Sequence, residues 1–317
     1  MIQHSDFRPP DWLRSGHGQT LWPALTRRPP AISVHEEQLD LKDGDILRLA
    51  WGPAADGPLV VILHGIGGCA RSPYVLGLVQ ALHAQGMQGV VMQFRGAGGV
   101  PNRLDRFFHA GATEDLDQTI SHVLREHPER RLGLVGFSMG GIISLNWLAE
   151  RGDSTPITAA VGVSVPLVLD ACARHLDQGF QRLYQWDIVR NLKRLVRKKH
   201  AQQPLPIDPH DLRRVRSLWD FDDRFTGPLH GFRNAEDYYQ RCAPIRRLDA
   251  IRSPTLLLHA LDDPFVPPAT LPERLPEAIT LEISHGGGHV GFVRGLPWRP
   301  QYWLEERITD HLRQAFR

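Results

Sequence analysis

Six short, mainly apolar runs set the frame for this chain. They cover residues 59–63, 89–94, 132–135, 159–165, 255–258 and 279–283. A strand covered on both faces of a parallel sheet reads this way, whereas a half-exposed strand alternates. Helical patterns stand between the runs, over residues 74–85, 113–125, 140–151 and 301–316. Strands alternating with helices specify an α/β fold with a mostly parallel, doubly wound sheet. Residues 32–41 and 46–51 flank Lys42-Asp43-Gly44-Asp45 and read as a hairpin. Residues 1–30 are rich in Pro, Trp and Arg, show no clear period, and read as an irregular arm packed on the body.

The alternation breaks once. Between Val165 and Thr255 no buried-strand run occurs, and Trp186, Ile188, Val189, Leu192, Leu195 and Val196 recur at helical spacing. The expected organisation is therefore a core from residues 1–166 and 246–317, with a helical cap insertion over 167–245. Tyr184, Trp186 and Leu192 are candidates for an apolar pocket lining, with a packing role as the alternative.

Composition removes several function classes. The 37 Lys and Arg against 35 Asp and Glu leave a net charge of +2, not the basic field of a nucleic-acid binder. Basic residues crowd positions 190–199. They read as a solvated helix face above an apolar stripe, with weak contact to an anionic membrane surface as the alternative. Aromatics do not interleave with them as a single-strand platform requires. Cys69, Cys172 and Cys242 form no CxxC pair and no disulfide framework, so a reducing compartment is expected. No apolar stretch reaches signal-peptide or membrane-spanning length. A cytoplasmic protein without a transmembrane segment is the default expectation.

The strongest local signal is Gly136-Phe137-Ser138-Met139-Gly140, between a strand and a helical pattern. In that context G-x-S-x-G is a sharp turn that lifts a serine to the carboxyl edge of the sheet, and the flanking glycines leave it room. His64-Gly65-Ile66-Gly67-Gly68 follows the run 59–63. A glycine turn there supplies a second backbone donor for an oxyanion. The backbone N–H groups of Ile66 and Met139 are the expected pair, and His64 is read as structural. The glycines lack dinucleotide spacing and no P-loop lysine follows.

Asp262-Asp263-Pro264-Phe265-Val266-Pro267 follows the run 255–258, and Gly286-Gly287-Gly288-His289-Val290-Gly291-Phe292 follows 279–283. The order Ser138, Asp263, His289 is that of an α/β-hydrolase triad. A serine hydroxyl needs a base, imidazole is a base near neutral pH, and a carboxylate fixes its tautomer. Asp262 competes with Asp263; the Asp263–Pro267 run favours Asp263 and leaves Asp262 as a cap. His285 competes with His289; the glycine loop favours His289. No metal-ligand spacing is present, and the chemistry calls for no cofactor.

Further blocks resemble one family. Phe7-Arg8-Pro9-Pro10-Asp11-Trp12-Leu13-Arg14 with Gly16-His17-Gly18-Gln19-Thr20 resembles the amino-terminal block of the YheT-type α/β-hydrolases. Phe94-Arg95-Gly96, Pro101-Asn102-Arg103-Leu104, His109-Ala110-Gly111 and Glu114-Asp115 resemble a second block, and Gly231-Phe232 with Asp237-Tyr238-Tyr239 a third. Gly287 to Phe292 resembles the family's histidine block. The resemblance implies the α/β-hydrolase fold and carboxylic-ester hydrolysis on small-molecule or lipid esters. It implies Ser138 as nucleophile, His289 as base and Asp263 as acid. Some relatives transfer acyl groups to alcohols, which makes an acyltransferase the nearest rival. A non-catalytic interaction module is the more distant one.

Overall fold

The computed structural model describes residues 1–317, the side chain of Pro209 excepted. Nine strands form one sheet: β1 (Ile2–His4), β2 (His35–Asp40), β3 (Ile46–Trp51), β4 (Leu59–Leu63), β5 (Gln88–Gln93), β6 (Leu132–Phe137), β7 (Ile157–Val163), β8 (Thr255–Ala260) and β9 (Ile279–Ser284). Their spatial order is β1-β9-β8-β7-β6-β4-β5-β3-β2. From β1 to β5 neighbours run parallel; β3 and β2 close the other edge antiparallel. The buried runs of the sequence are the central strands, and the Asp43-Gly44 hairpin joins β2 to β3.

Side chains of β4 show how the sheet divides the core. Leu59, Val61 and Leu63 point to one face, where Leu116 and Ile120 of α3 (Thr113–Glu126) and Ile142 and Ile143 of α4 (Met139–Arg151) pack. Val60 and Ile62 point to the other, against Val75, Leu78 and Val79 of α2 (Pro73–Ala84) and Leu304 and Ile308 of the carboxy-terminal helix. Each fully buried aliphatic side chain contributes about 1.5–3 kcal/mol, so this two-sided coverage is the main source of stability.

Between β7 and β8 the described residues contain no strand. The segment holds α5 (Leu169–His175), α6 (Gln181–Gln202), α7 (Leu218–Phe221), a π-helical turn (Asp222–Thr226), α8 (Gly227–Leu229) and α9 (Ala235–Cys242). Val189, Leu192, Val196, Phe221 and Phe225 form a separate apolar cluster there. After β9 come a small hairpin, β10 (Val293–Leu296) and β11 (Arg299–Tyr302), and then α10 (Trp303–Ala315). No helix among the described residues is long and apolar enough to cross a membrane.

The amino-terminal segment departs from expectation. It is not an irregular arm: β1 adds an edge strand, with Ile2 opposite Leu281, and Gly16–Thr26 forms α1. Ser15 caps that helix by accepting the Gly18 N–H at 3.1 Å, satisfying one of the first-turn donors. Gln19 is fully buried on it, donating to the carbonyls of Leu13 at 3.0 Å and Val293 at 2.9 Å.

Candidate active site

The strand order reverses direction between β4 and β6, and a crevice opens at their carboxyl ends, where open α/β sheets bind ligands. Ser138 sits there, between β6 and α4, with φ 50° and ψ −115°. A non-glycine residue in this region carries about 1–3 kcal/mol of strain. The surroundings enforce it: Ser138 N–H donates to Val163 O at 2.9 Å, and its carbonyl accepts from Ile142 N–H at 3.1 Å. A Cβ on Gly136 would stand 2.6 Å from Gly140 O, and one on Gly140 would overlap the Leu63 carbonyl. The two glycines are the condition for the turn.

The loop after β4 lies against the serine: a Cβ on Gly65 would be 3.5 Å from Ser138 Cβ. His64 is buried, and burial lowers its pKa to about 4. The neutral ring donates from Nδ1 to Gly65 O at 2.8 Å, and its Nε2 accepts from Phe94 N–H at 3.4 Å. It is thus a brace for the loop, as the sequence suggested. Tyr74 Oη accepts the Gly65 N–H at 2.8 Å, and burial pushes the phenol pKa up. The N–H of Ile66 has no partner among the described residues. Met139 opens α4, so its N–H belongs to the unpaired first-turn donors.

Asp263 and His289 come together from the loops after β8 and β9. The imidazole Nδ1 lies 2.9 Å from Asp263 Oδ2 and 3.1 Å from Oδ1. Asp263 Oδ1 also accepts the N–H groups of Phe265 at 2.8 Å and Val266 at 3.3 Å. The Phe265 ring stacks on the imidazole, with centroids 4.1 Å apart and planes at 19°. The competing residues make other contacts. Asp262 Oδ1 accepts the Gly288 N–H at 2.9 Å and so holds the histidine loop; burial raises its pKa. His285 is exposed and stacks on His4.

Two cavities meet at Ser138. A cleft of about 300 Å³ is lined by Ser138, His289, Ile66, Tyr74, Tyr184 and Phe265. A narrower apolar cavity of about 90 Å³ runs under the helical segment, past Ser138, Met139, Phe108, Leu169, Leu192 and Phe225. Tyr184 and Leu192 line these spaces as expected. Trp186 does not: it is 56 % exposed, because it falls on the outer face of α6.

Two supporting residues, Thr20 and Tyr74, escaped sequence reading, as did one buried histidine. Thr20 Oγ1 accepts the backbone N–H of His289 at 2.9 Å, and a Cβ on Gly288 would come within 2.6 Å of that oxygen. Tyr74 anchors the glycine loop as described. His259, on β8, is buried with both ring nitrogens unpartnered, and burial lowers its pKa to about 4. The signal for Thr20 was in the Gly16–Thr20 block, whose contact with a loop 269 residues away no local pattern reveals.

The α/β-hydrolase fold family model matches residues 58–295. The YheT protein of Escherichia coli is 40 % identical over 97 % of this chain and 93 % of its own length. The chain belongs to the α/β-hydrolase family. Phospholipase ABHD3 of Mus musculus is 30 % identical over 98 % of the chain and 78 % of that protein. Among solved structures, the Pyrococcus furiosus esterase Pf2001 shares the fold, with a TM-score of 0.59 at 16 % identity, covering 90 % of this chain and 99 % of that one.

Within this α/β-hydrolase, the motif blocks acquire physical meaning. Arg95 is buried and pairs with Asp45 at 2.7 Å, Asp43 at 2.8 Å and Asp115 at 2.6 Å. Asn102 donates to Asp45 at 2.8 Å and to the carbonyls of Leu104 and Arg106. Arg95, Asn102 and Asp115 of the second block thus join Asp43 and Asp45 in one polar network, which fixes the loop after β5.

Proposed function

We propose that the protein hydrolyses carboxylic esters through Ser138, His289 and Asp263. Asp263 fixes the imidazole with Nδ1–H toward the carboxylate, which leaves the Nε2 lone pair for the serine proton. As Nε2 takes that proton, Ser138 Oγ attacks the ester carbonyl and the C=O π electrons move to oxygen. The N–H groups of Ile66 and Met139 hold that oxyanion, each at about 3–4 kcal/mol. Collapse expels the alcohol, which takes the proton from Nε2. Water, deprotonated by the same nitrogen, then releases the acid and regenerates the serine. No cofactor enters these steps.

The observation that carries this reading is the 2.9 Å contact between His289 and Asp263, on the cleft that a strained Ser138 also lines. We further assign residues 167–245 as a cap over a core of 1–166 and 246–317. Its Leu169, Leu192 and Phe225 help to line the apolar cavity, which suits a linear acyl chain of a small-molecule or lipid ester. A cytoplasmic location fits three cysteines that form no disulfide among the described residues.

The test is turnover of a series of p-nitrophenyl esters by wild type, Ser138→Ala and His289→Ala. Both variants should lose activity while keeping the wild-type melting temperature. Retained turnover in Ser138→Ala would reject the assignment. Product analysis with added ethanol separates hydrolysis from acyl transfer.

A further inference from the structure

Helix α6 carries two different faces. Tyr184, Val189, Leu192 and Val196 are buried. On the opposite side Leu183, Trp186, Arg190, Arg194 and Arg197 follow one another at three- and four-residue spacing, and all five are exposed. Leu183 and Trp186 are 50 % and 56 % exposed, and Phe180, just ahead of the helix, is 50 % exposed. One such residue means nothing, but a cluster beside a functional opening marks a contact surface.

The cluster lies at the cleft. Tyr184, Asp187 and Ile188 of α6 line the cleft that contains Ser138 and His289, and Pro23 and Ala24 of α1 line its other side. Ala24 and Asp187 are exposed, so the cleft reaches solvent between the two helices. On the α1 lip, Leu25 is 82 % exposed. Apolar side chains therefore flank the opening on both sides.

Charge selects the occupant. Helix α6 holds seven Lys and Arg against the single acid Asp187, whereas the whole chain sums to +2. Lys193 and Lys199 turn inward, to the carbonyls of Val215 and Asn102. Arg190 pairs with Asp187 at 2.5 Å and covers the Trp186 ring at 4.5 Å. Arg194 and Arg197 extend the exposed stripe beyond it. A second copy set face to face would bring two cationic stripes together, which like charge opposes. An anionic surface meets both the apolar and the cationic parts, the pattern of helices that lie in a lipid interface.

We infer that this lip docks on an anionic lipid surface. Leu25, Phe180, Leu183 and Trp186 enter the headgroup boundary, and Arg190, Arg194 and Arg197 face lipid phosphates. The cleft then opens toward the bilayer. The inference concerns a binding surface and stands apart from the proposed reaction, because it is read without turnover.

Co-sedimentation of the full chain with vesicles tests it, using phosphatidylcholine alone and phosphatidylcholine with about a third phosphatidylglycerol. The protein should pellet with the anionic vesicles, and at least about tenfold more weakly with the neutral ones or at high salt. The pair Leu183→Glu and Trp186→Glu should reduce partitioning by more than about tenfold. Arg190→Gln with Arg197→Gln should reduce it about fivefold per residue. Both double variants should keep the wild-type melting temperature. Absence of wild-type binding, or binding that both variants retain, would overturn the inference. So would a solution dimer that the Leu183 and Trp186 changes dissolve while wild type ignores vesicles.

Discussion

Thr20 on the first helix accepts the backbone N–H of His289 at 2.9 Å, tying two residues from opposite ends of the chain. The loop bearing the imidazole is thus held by α1 as well as by Asp262. Thr20→Val keeps the shape and leaves the N–H without its acceptor, a cost of about 1–3 kcal/mol. The expected result is a fall of about tenfold or more in kcat on p-nitrophenyl butyrate with little change in KM. Thr20→Ser should restore it. Equal kcat for the valine variant and wild type would show that the loop holds itself.

The two neighbouring aspartates separate by role. Asp263→Asn presents an amide to Nδ1 and favours the wrong imidazole tautomer, a change worth about 10⁴ in kcat in the Ser-His-Asp template. Asp262→Asn keeps an oxygen for the Gly288 N–H and should cost less than about tenfold. Steady-state kinetics on one ester decides; a reversed ranking would move the acid role to Asp262.

Arg95 should be a stability residue. It is buried among three carboxylates, and removing one partner of a buried pair typically costs about 3–5 kcal/mol. Arg95→Met should lower the free energy of unfolding by that amount in a denaturant titration. A loss under about 1 kcal/mol would mean the network is solvated and weak.

His259 should make folding sensitive to acid. Its pKa is lowered to about 4 in the folded chain by burial, against about 6.5 unfolded. The unfolded state therefore binds the extra proton between those values, and stability falls as pH drops through that window. His259→Phe removes the group and also two unpartnered ring nitrogens. The stability difference between pH 7 and pH 4.5 should shrink by about 2 kcal/mol relative to wild type. An unchanged difference would show that the ring is hydrated in the folded state.

The central sheet was readable because strands covered on both faces leave continuous apolar runs, and β4 is the clearest case. Ser138 was readable because its turn demands glycine at positions 136 and 140 for a steric reason that acts locally. The amino-terminal elements were not. The α1 sequence Gly16-His17-Gly18-Gln19 has no apolar stripe, and Pro23 lies inside the helix. Tertiary contacts through Gln19 and Thr20 hold it instead. The three-residue strand β1 exists only because β9 offers an edge. Trp186 fitted the helical period of the buried face yet lies outside it: period alone does not say which of two apolar stripes faces inward. For Asp262 and Asp263, adjacent in sequence, only the loop geometry shows that one carboxylate meets the imidazole and the other a backbone N–H.

The proposed reaction requires Ser138 to be an activated nucleophile. Incubation with a fluorophosphonate followed by peptide mass mapping reads this directly, independent of substrate choice. One covalent adduct should form, on Ser138, and its formation should slow by orders of magnitude in His289→Ala. No adduct on the folded wild-type protein, or an adduct on another residue, would contradict the proposed reaction.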